Sequence, residues 1–153
     1  MIKDLLRALN GKIIKNQSGT IVNCIYDMRY YQDTDWKKHK PYFFNLDNSL
    51  DKPGEKNYYK NIIYQDDAFE LILIKWEKGS ETSIHEHPNN GCILKLLEGK
   101  LKEERYDKFK KYKSSELRVN SVGYMHDMLG AHKIIALEES YSLHLYSPPK
   151  YYA

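Results

Sequence analysis

Residues 83–107 read SIHEHPNNGCILKLLEGKLKEERYD, and this stretch indicates both the fold and the chemistry of the chain. Two histidines, His85 and His87, are separated by one residue, and an apolar run begins at Cys92. Glu98-Gly99-Lys100 is a polar turn signal, and apolar and polar residues follow it in alternation. The pattern therefore predicts three short strands, at 83–87, 92–97 and 101–106.

Short strands are predicted on both sides of this stretch as well. Most of the gaps between them are short polar or glycine-containing turns, and the 14 tyrosines of the chain favour β structure. The lysine-rich residues 108–113 (KFKKYK) are interpreted as an exposed hairpin loop. Together the pattern predicts a mainly β domain, a small β-barrel or jelly roll. The further strands are expected at 58–64, 69–76, 115–119, 122–125, 132–137 and 141–147.

The first third of the chain has a helical pattern instead. Apolar residues at helical spacing predict a helix at 2–9, ended by Asn10-Gly11, and a second helix from about 18 to 30. Residues 45–57 are polar and include a Pro53-Gly54 turn, which marks a boundary. We therefore predict one domain over 1–153, with a helical N-terminal segment (1–44) and a β-barrel body (57–149).

Composition excludes several classes of protein. The net charge of +3 is spread along 153 residues and indicates no nucleic-acid partner. The apolar runs are far shorter than the roughly 20 residues of a membrane span. Lys3, Asp4 and Arg7 interrupt the first apolar pattern, which is untypical of a secretory signal. We expect a soluble cytoplasmic protein, a monomer that binds neither nucleic acid nor membrane.

The histidines point to a metal site. His85 and His87 share one face of a predicted strand, and two imidazoles on one face bind one divalent metal. A third histidine from another strand would complete the site; spacing leaves zinc, copper, iron and nickel open. His132, which follows Gly130 and opens an apolar strand, is the preferred third ligand. The competing candidate is His126, interpreted as a surface loop residue.

A second polar set alternates along the last predicted strand. Ser142, His144 and Tyr146 point to one face of it. Polar side chains on an inward face need hydrogen-bond partners, and these three satisfy one another. The pattern fits either an active-site network or a buried structural one.

These motifs resemble the first cupin motif and, more closely, cysteine dioxygenase, the cupin iron enzyme that oxidises the thiol of cysteine to a sulfinate. Gly79 precedes the histidine pair at the motif's spacing, and Cys92 stands where other cupins have a glutamate ligand. The resemblance rests on residues 83–107, on 142–149 (SLHLYSPP), and on 57–64 with 69–76.

The resemblance implies a ferrous iron (Fe²⁺), held by three histidines, at which a small thiol and dioxygen react. It further implies a thioether cross-link between a cysteine and a tyrosine, and a serine–histidine–tyrosine set that orients the tyrosine hydroxyl. The residues are His85, His87 and His132 for the metal, Cys92 and Tyr146 for the cross-link, and Ser142, His144 and Tyr146 for the set.

One departure from the family concerns the substrate. Where the family has an arginine that binds the substrate carboxylate, this chain has Lys60, two residues after Tyr58, a further expected pocket residue. Lysine keeps the charge but loses the bidentate geometry of arginine. L-Cysteine is the expected substrate, with cysteamine or 3-mercaptopropionate as alternatives. A cupin that binds a metal or a thiol without turnover is another alternative, and Lys60 is otherwise an exposed strand lysine.

Overall fold

A computed structural model describes residues 1–13, 21–45, 58–86, 90–108, 110–126 and 129–149. The helical elements are α1 (Ile2–Lys12), a 3₁₀ turn (Val22–Cys24), α2 (Ile25–Tyr30) and a 3₁₀ helix (Asp35–Asn45). The strands are β1 (Tyr58–Gln65), β2 (Glu70–Trp76), β3 (Cys92–Glu98), β4 (Leu101–Asp107), β5 (Lys110–Leu117), β6 (Val122–Met125), β7 (Ala131–Ala136) and β8 (Ser140–Tyr146). The predicted mainly β architecture is confirmed.

The strands form two antiparallel sheets. The large sheet has the order β1-β2-β8-β3-β6 and the small sheet the order β5-β4-β7. Two isolated bridges, Glu81 with Ile135 and His85 with His132, continue the small sheet beyond β7. Apolar side chains from both sheets form one buried cluster between them, which includes Ile72, Ile74, Leu94, Leu96, Leu101, Leu117, Ile134 and Ala136.

The other face of the large sheet is covered by the N-terminal helices. Leu5 and Leu9 of α1 and Met28 of α2 pack in one buried cluster with apolar residues of β2, β3 and β8. The central strands are therefore buried on both faces, which explains why β2 and β3 are apolar almost throughout instead of alternating.

Several element predictions are confirmed and others are wrong. The first helix forms but continues past Asn10-Gly11 to Lys12, and the predicted second helix is a 3₁₀ turn followed by α2, with 14–20 outside the described residues. No regular strand forms at 81–86, where the chain makes only isolated bridges. The predicted loop at 108–113 is wrong, because β5 begins at Lys110.

The error at β5 has a physical cause. This strand lies at the edge of the small sheet, and its first residues are exposed. Lysines at an edge strand keep it solvated and discourage pairing with other chains, so a charged run is compatible with a strand there. No helix within the described ranges is long and apolar enough to cross a membrane. Most of the predicted boundary at 45–57 lies outside those ranges, so the division of the domain stays a prediction.

Candidate active site

A cavity lies between the two sheets, bounded by β1, β2 and β8 on one side and by β7 and residues 82–85 on the other. Six of the nine predicted site residues line it. His87 is outside the described residues, and Cys92 and Ser142 lie behind the lining. The lining residues are Tyr58, Lys60, Ile74, Trp76, Thr82, Ser83, His85, His132, Ile134, His144 and Tyr146.

Backbone pairing brings His85 and His132 together. Each amide N–H donates to the carbonyl of the other residue, at 2.9 and 3.0 Å. Gly130 has a φ of +91°, and a Cβ there would lie 2.2 Å from the carbonyl oxygen of Tyr106. This position therefore requires glycine. Because the backbone at Gly130 lies so close to Tyr106 of β4, β7 begins next to β4, and its second residue, His132, lines the cavity.

The two imidazole rings converge through the same nitrogen. The Nε2 atoms of His85 and His132 are 2.9 Å apart, and the rings meet edge to face. The Nδ1 of His85 lies 2.9 Å from the carbonyl oxygen of Ser83, and that of His132 lies 2.9 Å from Oε2 of Glu103. Both partners are pure acceptors, so each Nδ1 donates its hydrogen.

With both Nδ1 atoms donating, the two Nε2 atoms point at each other. Lone pairs at that distance repel unless a proton or a metal cation lies between them. Neutral imidazole nitrogens oriented by hydrogen bonds at Nδ1 are typical metal ligands, so the donor set fits a divalent transition metal. Among the described residues no three histidine, cysteine or acidic side chains cluster, and two of the three predicted ligands converge.

A carboxylate that the sequence analysis missed holds His132. Glu103 is buried and also accepts a hydrogen bond from Nε of Arg105 at 3.0 Å. Burial favours the neutral acid, but the hydrogen bond from His132 and the charge of Arg105 outweigh it and lower the pKa of Glu103. Arg105 donates to the carbonyl of Tyr124 on β6 at 2.8 Å and so ties the two sheets together. The sequence offered one signal for this role: Glu103 is two residues after Leu101 on a predicted strand, so both side chains share a face.

The last strand carries a chain of hydrogen bonds. Nε1 of Trp76 donates to Oγ of Ser142 at 2.7 Å, and that hydroxyl lies 2.7 Å from Nε2 of His144. Nδ1 of His144 is 3.3 Å from the Tyr146 hydroxyl. Because an indole only donates, we assign the direction from Trp76 to Tyr146, so the Tyr146 hydroxyl accepts from His144 and can donate its own hydrogen onward.

Burial keeps this chain of groups neutral. His144 is buried, and burial together with the charge of Lys60 lowers its pKa well below the ordinary value. Burial likewise raises the pKa of Tyr146 well above its ordinary value. A neutral imidazole has one donor and one acceptor nitrogen, as the direction of the chain requires.

Cys92 lies directly opposite Tyr146 in the pairing of β3 with β8. Its thiol is buried, makes a hydrogen bond with the Tyr146 hydroxyl, and has a pKa raised chiefly by burial. Cys24 is also a buried free thiol, near the helices, where burial raises its pKa to about 11. The structure therefore brings Cys92 next to Tyr146, which lines the cavity.

Lys60 and Tyr58 form the entrance side on β1. The Tyr58 ring stacks on Trp76, with centroids 4.9 Å apart, and Nζ of Lys60 lies 5.9 Å from the Tyr58 ring. Lys60 is half-buried and is not the exposed strand lysine of the alternative interpretation. Its charge faces the same cavity as His85 and His132, so the cavity suits an anionic group. His126, the competing ligand candidate, follows β6 and does not line the cavity.

Solved structures with the same architecture identify the fold. KdgF from Halomonas sp. superposes with a TM-score of 0.54 at 18% identity, covering 69% of this chain and 94% of that one. A cupin superfamily protein from Desulfitobacterium hafniense superposes with a TM-score of 0.51 at 17% identity, covering 65% and 84%. The fold is that of the cupins, as predicted.

Sequence comparison narrows the class to a family. The model of cysteine dioxygenase type I matches residues 28–152. Cysteine dioxygenase type 1 of Danio rerio is 32% identical over 162 residues, covering 97% of this chain and 75% of the relative. The Rattus norvegicus enzyme is 40% identical over 110 residues, covering 64% and 54%, so that match spans about half of the relative. The chain belongs to the cysteine dioxygenase type I family.

Proposed function

We propose that the chain is an iron-dependent thiol dioxygenase that converts L-cysteine and dioxygen to cysteine sulfinic acid. The observation that supports this most is the convergence of Nε2 of His85 and Nε2 of His132, 2.9 Å apart in a cavity that Lys60 and Tyr146 also line. His85, His132 and, by family resemblance, His87 would hold Fe²⁺. The ion would supply open coordination positions for a thiolate and dioxygen.

The other residues have roles that follow from their chemistry. The Lys60 ammonium attracts the substrate carboxylate as a point charge. The Tyr146 hydroxyl, oriented through His144 and Ser142, donates its hydrogen bond into the cavity. Glu103 holds His132 in the tautomer that presents Nε2. We further propose that Cys92 and Tyr146 form a thioether cross-link, since their side chains are paired in register and hydrogen-bonded.

The test is product analysis with isotopic dioxygen. The protein is loaded with ferrous iron without oxygen, and labelled dioxygen is then added with L-cysteine. Two labelled oxygen atoms in one sulfinate product are expected. Iron bound without any product from any thiol would instead favour a non-catalytic metal- or thiol-binding cupin. A protein that binds no iron would contradict the proposal.

A second candidate function is oxidation of another small thiol, which Lys60 supports because lysine offers no bidentate contact to a carboxylate. Parallel reactions with cysteamine, which has no carboxylate, and 3-mercaptopropionate, which has no amine, separate the candidates. Preference for cysteine over both would show that the lysine suffices. Turnover of cysteamine alone would show that cysteamine is the substrate and would leave the proposed thiol dioxygenation unchanged.

The remaining expectations are proposals of the same kind. A small thiol and dioxygen would be the only partners, and the chain would act as a cytoplasmic monomer without nucleic acid or membrane. Sedimentation of the loaded protein at several concentrations tests the monomer. A mass that grows with concentration would contradict it.

A further inference from the structure

One buried carboxyl group has no role in the proposed reaction. Glu70, the first residue of β2, is fully buried, and its Oε2 accepts a hydrogen bond from Nε2 of Gln65 at 2.6 Å. Its other oxygen, Oε1, is buried and has no hydrogen-bond partner in the part of the chain that the structure describes. Leaving a buried acceptor unsatisfied costs stability, so such a group calls for a role other than folding.

Strand register places Tyr146 between Glu70 and Cys92. Glu70 is opposite Tyr146 in the pairing of β2 with β8, and Tyr146 is opposite Cys92 in the pairing of β8 with β3. Neighbouring strands lie about 4.8 Å apart, and directly paired residues project to the same face. The three side chains therefore form one row across the inner face of the large sheet. Burial is the main cause of the raised Tyr146 pKa, and the Glu70 carboxylate adds to it.

Among the described residues, the other proton acceptors near this row are already hydrogen-bonded. Glu103, whose carboxylate also acts on the Cys92 thiol, accepts from His132 and Arg105. Both ring nitrogens of His144 are engaged, one by Ser142 and one by Tyr146.

Cys92 and Tyr146 are each less than a tenth exposed, so bulk water does not reach them freely. A proton that leaves the Cys92 thiol needs an acceptor inside the barrel. It can pass through the Tyr146 hydroxyl, to which the thiol is hydrogen-bonded, to Oε1 of Glu70, which has no hydrogen-bond partner among the described residues.

We propose that Glu70 is the proton acceptor for formation of the thioether bond between Cys92 and Tyr146. This inference rests on the proposed function, because the dioxygen used there is also the oxidant here. Coupling breaks the S–H bond of Cys92 and a ring C–H bond beside the Tyr146 hydroxyl, forms one C–S bond, and releases two protons and two electrons. Dioxygen takes up the electrons and protons as hydrogen peroxide, and Glu70 holds the thiol proton in between.

The experiment follows coupling in the intact, iron-loaded chain exposed to air and L-cysteine. Intact mass reports the loss of two hydrogen atoms, and peptide mapping locates the bond. Glu70→Gln keeps the size of the side chain and removes its capacity to accept a proton. Coupling is expected to be about 100-fold slower in this variant, the scale of general base catalysis. Glu98→Gln on β3, whose carboxylate pairs with Lys40 outside the row, is the matched control and is expected to couple at the wild-type rate.

The outcomes separate this inference from the proposed function. Wild-type coupling in Glu70→Gln at equal iron content overturns the inference. A wild-type protein that forms sulfinate without the cross-link overturns the inference and the proposed cross-link but leaves the proposed dioxygenase activity standing. A protein that forms neither sulfinate nor cross-link contradicts the inference and that activity together. If Glu70→Gln does not fold, Glu70→Asp and Glu70→Asn replace it. Faster coupling in the aspartate variant supports the inference, and equal rates overturn it.

Discussion

The two faces of the large sheet bury polar groups in opposite ways. On the face toward the helices, Lys95 is fully buried, and its ammonium donates to the carbonyls of Met28, Arg29 and Tyr31 at the end of α2. On the cavity face, Tyr146 ends a chain of side-chain hydrogen bonds, and its hydroxyl contacts the Cys92 thiol at the edge of the cavity. All three donors of Lys95 are used by the backbone.

This difference separates structural from functional burial. A buried polar group whose hydrogen-bond capacity is used by the backbone contributes to the fold, since moving it would leave acceptors unpaired. A buried group whose polar atoms face a cavity is available to a ligand or to a proton. By this criterion Lys95 is structural, whereas His85, His132 and Tyr146 belong to a site. Each of the following predictions tests that division.

The largest effect is expected for His132→Ala. This change removes one of the two converging Nε2 atoms, and ferrous iron should bind at least about 100-fold more weakly, with loss of turnover. Metal content after dialysis against a chelator series measures the affinity. His126→Ala is the control, since His126 does not line the cavity. Unchanged affinity in His132→Ala would remove His132 from the metal site.

Glu103→Gln should have the next largest effect. The amide no longer attracts the Nδ1 hydrogen of His132 as a carboxylate does, so metal affinity should fall about 10- to 100-fold. Calorimetric titration of the protein with Fe²⁺ measures it. The neighbouring Glu104 pairs with Lys111 at 2.9 Å outside the cavity, so Glu104→Gln should bind as the wild type does. Equal affinities for both variants would show that the carboxylate has no part in metal binding.

Lys60→Met should act on the substrate and spare the metal. Loss of the charge is expected to raise KM for L-cysteine about tenfold, an effect the size of one charged hydrogen bond, while iron content stays the same. Cysteamine, which has no carboxylate, serves as the matched substrate control and should keep its KM. A parallel rise for both thiols would mean that Lys60 shapes the cavity and does not recognise the carboxylate.

Lys95→Met should leave iron binding unchanged and alter stability with a distinctive pH dependence. Burial, followed by the charge of Arg29, lowers the pKa of Lys95 from 10.5 to about 8. Between these values the unfolded chain holds more protons than the folded one, so wild-type stability should rise with pH there, by up to about 3 kcal/mol, and not below pH 8.

Denaturant unfolding of the wild type and of Lys95→Met from pH 7 to 10 measures this contribution. The variant should lose the rise with pH, and it should be less stable because the three carbonyls at the end of α2 lose their donor. Lys113→Met on the exposed part of β5 is the control. A difference between wild type and Lys95→Met that does not change with pH would refute the assignment.

Much of the site could be predicted from the sequence because its polar residues occur in short, distinctive patterns. The H-x-H pair, the Gly-x-His turn and the alternation of Ser142, His144 and Tyr146 each indicate chemistry within a few residues. Glu103 and Glu70 were missed for a common reason. A single glutamate in a strand is ordinarily solvated, and only the pairing of that strand shows whether its carboxylate lies inside.

Lysines show the same limit. Lys60, Lys95 and Lys110 all lie on strands, yet the structure places the first at a cavity, the second in a core and the third on an exposed edge strand. The neighbouring residues in sequence show that a lysine is charged, but they do not show which helices or strands pack against its side chain. A strand was predicted at 115–119, and the first part of β5, residues 110–114, was missed because edge position is a property of the whole sheet.

The amino-acid sequence alone determined the β class, the helical start and the residues able to bind a metal, because periodicity and side-chain chemistry are local properties. Only the tertiary structure decided which of those residues meet. The 2.9 Å approach of His85 to His132, the row of Glu70, Tyr146 and Cys92, and the burial of Lys95 all depend on strand register between segments far apart in the chain. The register between two strands depends on which of their side chains are buried together in the core. No single segment of the sequence encodes this.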